Sequence, residues 1–212
     1  APIDQPVSTD SSDSAPVQVE TPKYSSETTA LPEDLRQVMS GSTWSHDCPV
    51  HLNDLRLIHL NHWDFNGEVQ SGSIVVAETA AAIIDEVFRV AFEAKFPFTR
   101  VEPASTYEGD DTASMAANNT SAFNCRAVTG GSSWSQHSYG NAIDINPIQN
   151  PYVKGSTTLP PEGEAYRLRD PSVPGLLVDD SPIVASFKAA GWGWGGDWNS
   201  LKDYQHFSEN GK

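Results

Sequence analysis

The chain of 212 residues is long enough for one domain with a substantial core plus some tail, and no second domain is required. Acidic side chains number 28 against 13 basic ones, a formal charge of -15, which argues against nucleic acid or an anionic membrane as a partner. No apolar run approaches the roughly 20 residues needed to cross a bilayer, so membrane insertion is not expected either.

Residues 1–30 are Ser, Thr, Pro and acid with almost no large apolar side chains, a composition that buries too little surface to offset ordering; a flexible acidic linker is expected there, followed by one domain over 31–212. Leu31 to Met39 predicts a short helix starting at Pro32-Glu33-Asp34, with acids in its first turn. The two cysteines, Cys48 and Cys125, fit one disulfide in an oxidising compartment; the alternative is a second metal site built from His46, Cys48 and His51. With Ala1 in place of Met at its start, the chain reads as a processed product of export.

Leu55 to Trp63 alternates, Phe65-Asn66-Gly67 turns, and Val69 to Ala77 returns, which predicts a hairpin. His59 and His62 would face opposite sides of that strand and so cannot share a metal. From Glu78 to Ala94 the apolar residues Ala80, Ile83, Ile84, Val87 and Ala91 recur at helical spacing, an amphipathic core helix. Pro97 to Val101 predicts a strand laid against it. Asp110-Asp111 reads as a helix start, with contact to the site as the alternative. Residues 150–180, rich in Pro and Gly, form a connection longer than compact domains usually need, and lining a substrate groove is the role expected of it. Ser181-Pro182 opens a short helix that Gly191 stops. Trp192, Trp194 and Trp198 among glycines either stack on a glycan or pack the floor of a cleft, packing being the commoner fate.

The most informative stretch runs from Ser135 to Pro147, and it needs a partner some sixty residues on, Asp203-Tyr204-Gln205-His206-Phe207. Two imidazoles and a carboxylate, His137, Asp144 and His206, make a three-ligand set that leaves a fourth zinc position open. The alternation from Asn141 to Asn146 predicts a half-buried strand with Asp144 on its polar face. Tyr139-Gly140 permits the bend that folds His137 back towards it. Asp203, three residues before His206, is placed to act as a base beside the metal without being a ligand. Arg126 is the candidate positive partner for a developing oxyanion. An Fe(II) oxygenase is disfavoured by the spacing of the first two ligands, a serine hydrolase by the lack of a Gly-x-Ser-x-Gly turn, and a structural zinc by the low thiolate count.

Ser-x-His-x-x-Gly-x-Ala-x-Asp followed by Asp-x-x-His-Phe resembles the M15 zinc peptidases of the D-alanyl-D-alanine carboxypeptidase and L-alanyl-D-glutamate endopeptidase type. The likeness extends through Asn118 to Arg126 and Gly191 to Trp198, covering roughly residues 48–210. It implies an α+β fold, a small antiparallel sheet with flanking helices carrying Zn2+ in a cleft, and hydrolysis of peptidoglycan stem peptides by a secreted monomer at the cell wall. Ser135, Arg126, Tyr139 and Trp194 become candidate substrate contacts. Many carboxypeptidase members carry Glu where this chain has Asp203, so the endopeptidase type is expected first, the D,D-carboxypeptidase second, and a wall-binding module without turnover third.

Overall fold

A computed structural model describes residues 21–128 and 131–212. Of the expected linker, residues 1–20 lie outside the described residues, and its last part is not a linker. Strand β1, Ser26–Ala30, pairs antiparallel with a later strand. Just before it, the Tyr24 hydroxyl donates to Asp85 at 2.7 Å while its ring packs on Phe92. This edge strand escaped the sequence pattern because four of its five side chains are exposed, so no apolar alternation marks it. Helix α1, Glu33–Ser40, follows as expected, with Glu33 and Asp34 in the first turn. It packs on the domain: Leu31 and Met39 join Leu55, Leu57, Val75 and Phe123 in a small apolar cluster.

Strands β2 (Leu55–Trp63) and β3 (Val69–Ala77) form the predicted hairpin, in register from Leu55 opposite Ala77 to Trp63 opposite Val69. Its turn is held by the Asp64 carboxylate, which accepts from the backbone N–H groups of Asn66 and Glu68. His59 is exposed and bonded to Ser73, whereas His62 is buried, so the two occupy opposite faces. Helix α2 (Glu78–Glu93) lays Ala80, Ile84, Val87, Phe88 and Ala91 on Ile58, Leu60, Ile74 and Val76 of the hairpin, and this is the main core.

The strand expected over Pro97–Val101 is shorter, β4 (Arg100–Val101), with Pro97 bridged to Trp63. Asp110 caps helix α3 (Asp111–Ala116) by accepting from the Ala113 N–H at 3.1 Å. Strand β5 (Asn119–Thr120) pairs parallel with β4, so the expected antiparallel sheet is in fact a set of small sheets, one of them parallel. Next come β6 (Ala142–Asp144), then β7 (Tyr152–Lys154) and β8 (Thr157–Leu159), a hairpin inside the segment read as a long Pro- and Gly-rich connection. Helix α4 (Pro182–Ala189) matches the prediction except at its cap: the Ser181 hydroxyl donates to the Val178 carbonyl and does not cap the helix. Strands β9 (Gly193–Trp194), β10 (Lys202–Asp203) and β11 (His206–Ser208) complete the fold, with β11 lying between β6 and β9 and β10 pairing with β7. The architecture is α+β, helices over small, mostly antiparallel sheets. No helix among the described residues is long and apolar enough to cross a membrane.

Trp192 and Trp194 are buried in the core with Phe187 and Phe207. The guanidinium of Arg169 is also enclosed: it donates to the carbonyl of Gln149 and to the Asn150 side chain, and covers the Tyr204 ring at 4.1 Å. Burial pushes its pKa down to about 10, with Tyr204 opposing.

Candidate metal centre

Local sequence sets each ligand candidate in place. Ser135 precedes a single 3-10 turn, Gln136–Tyr139, and its Oγ accepts from the His137 N–H at 3.3 Å. Gly140 ends the turn at φ 72°, and its carbonyl accepts from the Ala77 N–H at 3.0 Å. A side chain there would place Cβ 2.5 Å from the Ala77 nitrogen. Gly140→Ala is therefore expected to destabilise the protein by at least ~1 kcal/mol from the left-handed backbone alone, with more from the clash. Chemical denaturation of the variant, together with its zinc stoichiometry, checks this, because the turn carries His137.

Asp144 and His206 meet as a cross-strand pair of β6 and β11. The sequence placed Asp144 on the wet face of a half-buried strand, but Ala142, Ile143 and Asp144 are all buried. The reason is that β6 has β11 on one side and Ser121 on the other, whose backbone exchanges two hydrogen bonds with Asp144.

The tautomers are set from outside. His137 Nδ1 lies 2.6 Å from the Ala122 carbonyl and His206 Nε2 lies 3.2 Å from the Lys212 oxygen, so each of these nitrogens carries the proton and donates. His137 Nε2 and His206 Nδ1 then face inward, 3.3 Å apart, with Asp144 oxygens 3.2 Å from the first and 3.0 Å from the second. A tetrahedral zinc with bonds of about 2.0 Å has ligand-to-ligand edges of about 3.3 Å. The spacing of the two nitrogens fits that ion, each nitrogen has its own Asp144 oxygen beside it, Oδ2 for His137 and Oδ1 for His206, and the donor set is the nitrogen and carboxylate mixture zinc takes. Among the described residues these three form the group of His, Cys, Asp or Glu that could hold a metal. Burial alone would raise Asp144, yet the charges and hydrogen bonds of His137 and His206 outweigh it and hold the carboxyl well below its usual range. For His206, burial acts downward, and Asp144 with Asp203 more than compensates, leaving it raised.

A pocket of about 600 Å³ opens onto this triangle and is also lined by Ser135, Arg126 and Asp203. Asp203 is pushed up to about 6, first by burial and then by the charge of Asp144, while the Gln205 amide donates to its Oδ1 at 3.2 Å. It stands outside the metal-capable group. Arg126 is tied to the His137 turn through Ser138, whose Oγ accepts from the Arg126 N–H and donates to the Arg126 carbonyl. Its guanidinium pairs with Asp111 at 2.7 Å.

Two sequence-predicted contacts do not line the pocket. Trp194 is 5 % exposed, donates its indole N–H to the Tyr204 carbonyl and stacks on Phe207, so it is core. Tyr139 is 39 % exposed but lies outside the lining. The pocket also has Trp198, Tyr152 and Lys154, in keeping with the cleft reading of the tryptophans and the groove reading of residues 150–180, and Asp111, in keeping with its alternative reading; Trp134 and Gln205 are lining residues that sequence reasoning missed. The hairpin of β7 and β8 supplies Tyr152 and Lys154, and its Tyr-Val-Lys and Thr-Thr-Leu runs were the available signal. Cys48 and Cys125 are bonded, which removes Cys48 from the alternative second metal site. A trough of about 610 Å³ on β1–β3 is lined chiefly by Ser, Asn, Glu and the lone imidazole of His59.

Two histidines and one carboxylate facing an open pocket, with a further carboxylate at its wall, define a hydrolase-type centre. Residues 129–209 match the family model of the M15 peptidases described as D-alanyl-D-alanine carboxypeptidase, which supports an M15 family peptidase and agrees with the resemblance carried by the motifs. The matched span contains His137, Asp144, Asp203 and His206. No solved structure matches the chain.

Proposed function

We propose that this protein is a zinc-dependent hydrolase of peptidoglycan stem peptides, cutting within the peptide as an L-alanyl-D-glutamate type endopeptidase. The observation that supports it is the cluster of His137 Nε2, His206 Nδ1 and the two Asp144 carboxylate oxygens, with contacts of 3.0 to 3.3 Å, at the same pocket as a carboxylate outside the metal-capable group. These three residues would hold the ion, which when bound supplies Lewis-acid polarisation of the peptide carbonyl and lowers the pKa of water to about 7.

The remaining work falls to the chain itself. Asp203, with an affinity for protons raised to about 6, takes a proton from the attacking water and passes it to the leaving amine. Gln205 fixes its orientation by occupying Oδ1. Arg126, its backbone anchored by Ser138 and its guanidinium held by Asp111, faces charge developing on the carbonyl oxygen. The disulfide fits action in an oxidising, extracellular setting at the cell wall, and the acidic surface fits a freely soluble monomer.

The D,D-carboxypeptidase is the second reading, supported by the description of the matching family model. Mass spectrometry of peptidoglycan fragments decides between them. Incubation with zinc-loaded protein is expected to yield fragments with a new D-glutamate amino terminus, and chelation is expected to abolish them. Free D-alanine as the sole product establishes the second reading. No chelator-sensitive product leaves only a wall-binding module.

A further inference from the structure

The two aspartates at the start of α3 do different things. Asp110 caps the helix through the Ala113 N–H. Asp111 is thereby released from capping and spends its carboxylate on Arg126 Nη2 at 2.7 Å, inside the pocket that holds His137, Asp144 and Asp203. The rest of the guanidinium is poorly matched: among the described residues Nη1 reaches only the Ala127 carbonyl, at 3.4 Å, and the buried Nε finds no hydrogen-bond partner. Arg126, the one arginine among the described residues of the pocket lining, therefore meets a substrate as half of an ion pair, with one edge taken.

That arrangement selects by charge. In a stem peptide cut between L-alanine and γ-linked D-glutamate, the residue following the scissile bond carries an α-carboxyl group, which is either free or amidated. Were Arg126 unpaired, it would favour the free carboxylate through a bidentate contact. With Asp111 in place, a second carboxylate brought to Arg126 meets like charge, whereas a carboxamide does not, and its oxygen can still accept from Nη1, whose contact with the Ala127 carbonyl is long at 3.4 Å. We propose that Asp111 is a specificity-determining residue that, through Arg126, sets the pocket to prefer stem peptides whose D-glutamate α-carboxyl is amidated. This rests on the peptidase reading above. Lys154 and Lys212 also border the pocket and add general positive potential, which a change at position 111 leaves as it is.

The test uses two synthetic stem peptides that differ only in this group, carboxylate or carboxamide, and the zinc-loaded full chain. Wild type is expected to show the higher kcat/KM on the carboxamide. Asp111→Asn is expected to move the ratio towards the carboxylate by roughly fivefold, the scale of a half-exposed ion pair, and Asp111→Glu is expected to restore it. A role limited to holding α3 would slow both peptides alike and leave the ratio fixed, which overturns the inference while the peptidase reading stands. Calorimetric binding of the same peptides to zinc-loaded Asp203→Asn protein, with and without Asp111→Asn, reads the preference without turnover. Failure of either peptide to bind there overturns the inference; failure of wild type to cut either peptide while both bind overturns the peptidase reading alone.

Discussion

Asp203→Ala is expected to retain zinc at the wild-type stoichiometry and to lose hydrolysis by a factor of roughly 10²–10⁴, the usual effect of removing a general base. His206→Ala is expected to lose both. The contrast follows from geometry: His206 supplies one corner of the ligand triangle, whereas Asp203 borders the pocket outside it. Metal analysis and peptide turnover on the two purified variants check it, and retained turnover in Asp203→Ala would remove the base assignment. The stability effect has a definite sign. Burial and the charge of Asp144 raise Asp203 to about 6, above the ordinary value of about 3.9, so folding favours its protonated form. Its contribution is present below pH ~4 and is lost as pH rises through about 6. At neutral pH the ionised side chain is a burden, and metal-free Asp203→Ala is expected to unfold no earlier than metal-free wild type.

The second large effect concerns the disulfide. Cys48 and Cys125 close a loop with a sequence separation of 77. The chain-entropy account puts the stabilisation from a loop of that length at about 4 kcal/mol. Cys48→Ser combined with Cys125→Ser is expected to lower the midpoint of urea denaturation accordingly. The bridge also ties the α1 side of the molecule to the segment leading into Arg126, since the Cys125 N–H donates to the Thr43 carbonyl at 3.0 Å. Turnover should therefore fall as well. Equal unfolding midpoints for the double variant and wild type would show that the unfolded chain gains nothing from losing the bridge.

Much of the scaffold was legible because strong periodicity survives folding. The hairpin of β2 and β3 and the helix α2 stand where alternation and the helical repeat put them, since one face of each is core and the other is wet. The residues of the metal-capable group were legible for another reason: few residue types hold zinc, and a bend at Gly140 followed by alternation left little freedom in the placement of His137 and Asp144. Elements without a wet face or a buried face were harder. β1 is exposed along most of its length, so no alternation marks it, and β6, which alternation did mark as a strand, is buried on both faces instead of one. Trp194 shows a related limit. A tryptophan among glycines is equally consistent with stacking on a ligand and with filling a core, and only the position of Phe207 opposite it decides. The segment carrying β7 and β8 was legible as a groove wall but not as a hairpin, because three-residue strands in a Pro- and Gly-rich segment carry too little pattern to separate from a loop.

The pairing of β6 with β11 has a consequence for which parts of the sequence can change. Asp144 and His206 are 62 positions apart in the chain, yet their spacing is read off a backbone ladder, Asp144 opposite His206, Ile143 opposite Phe207 and Ala142 opposite Ser208. A slip of one rung would turn His206 to the other face and dissolve the ligand triangle without disturbing the composition of either strand. Most of the intervening stretch is tied down as well, by the core residues of α4 and β9 and by the pairing of β10 with β7, but the tip of the β7–β8 hairpin at Gly155 and Ser156 has no such gauge to keep, because lengthening a loop costs little extra free energy. The fold thus separates a short calibrated ruler, which sets the spacing of Asp144 and His206, from an adjustable hairpin tip beside the pocket wall, in which substrate range can drift while that spacing stays as it is.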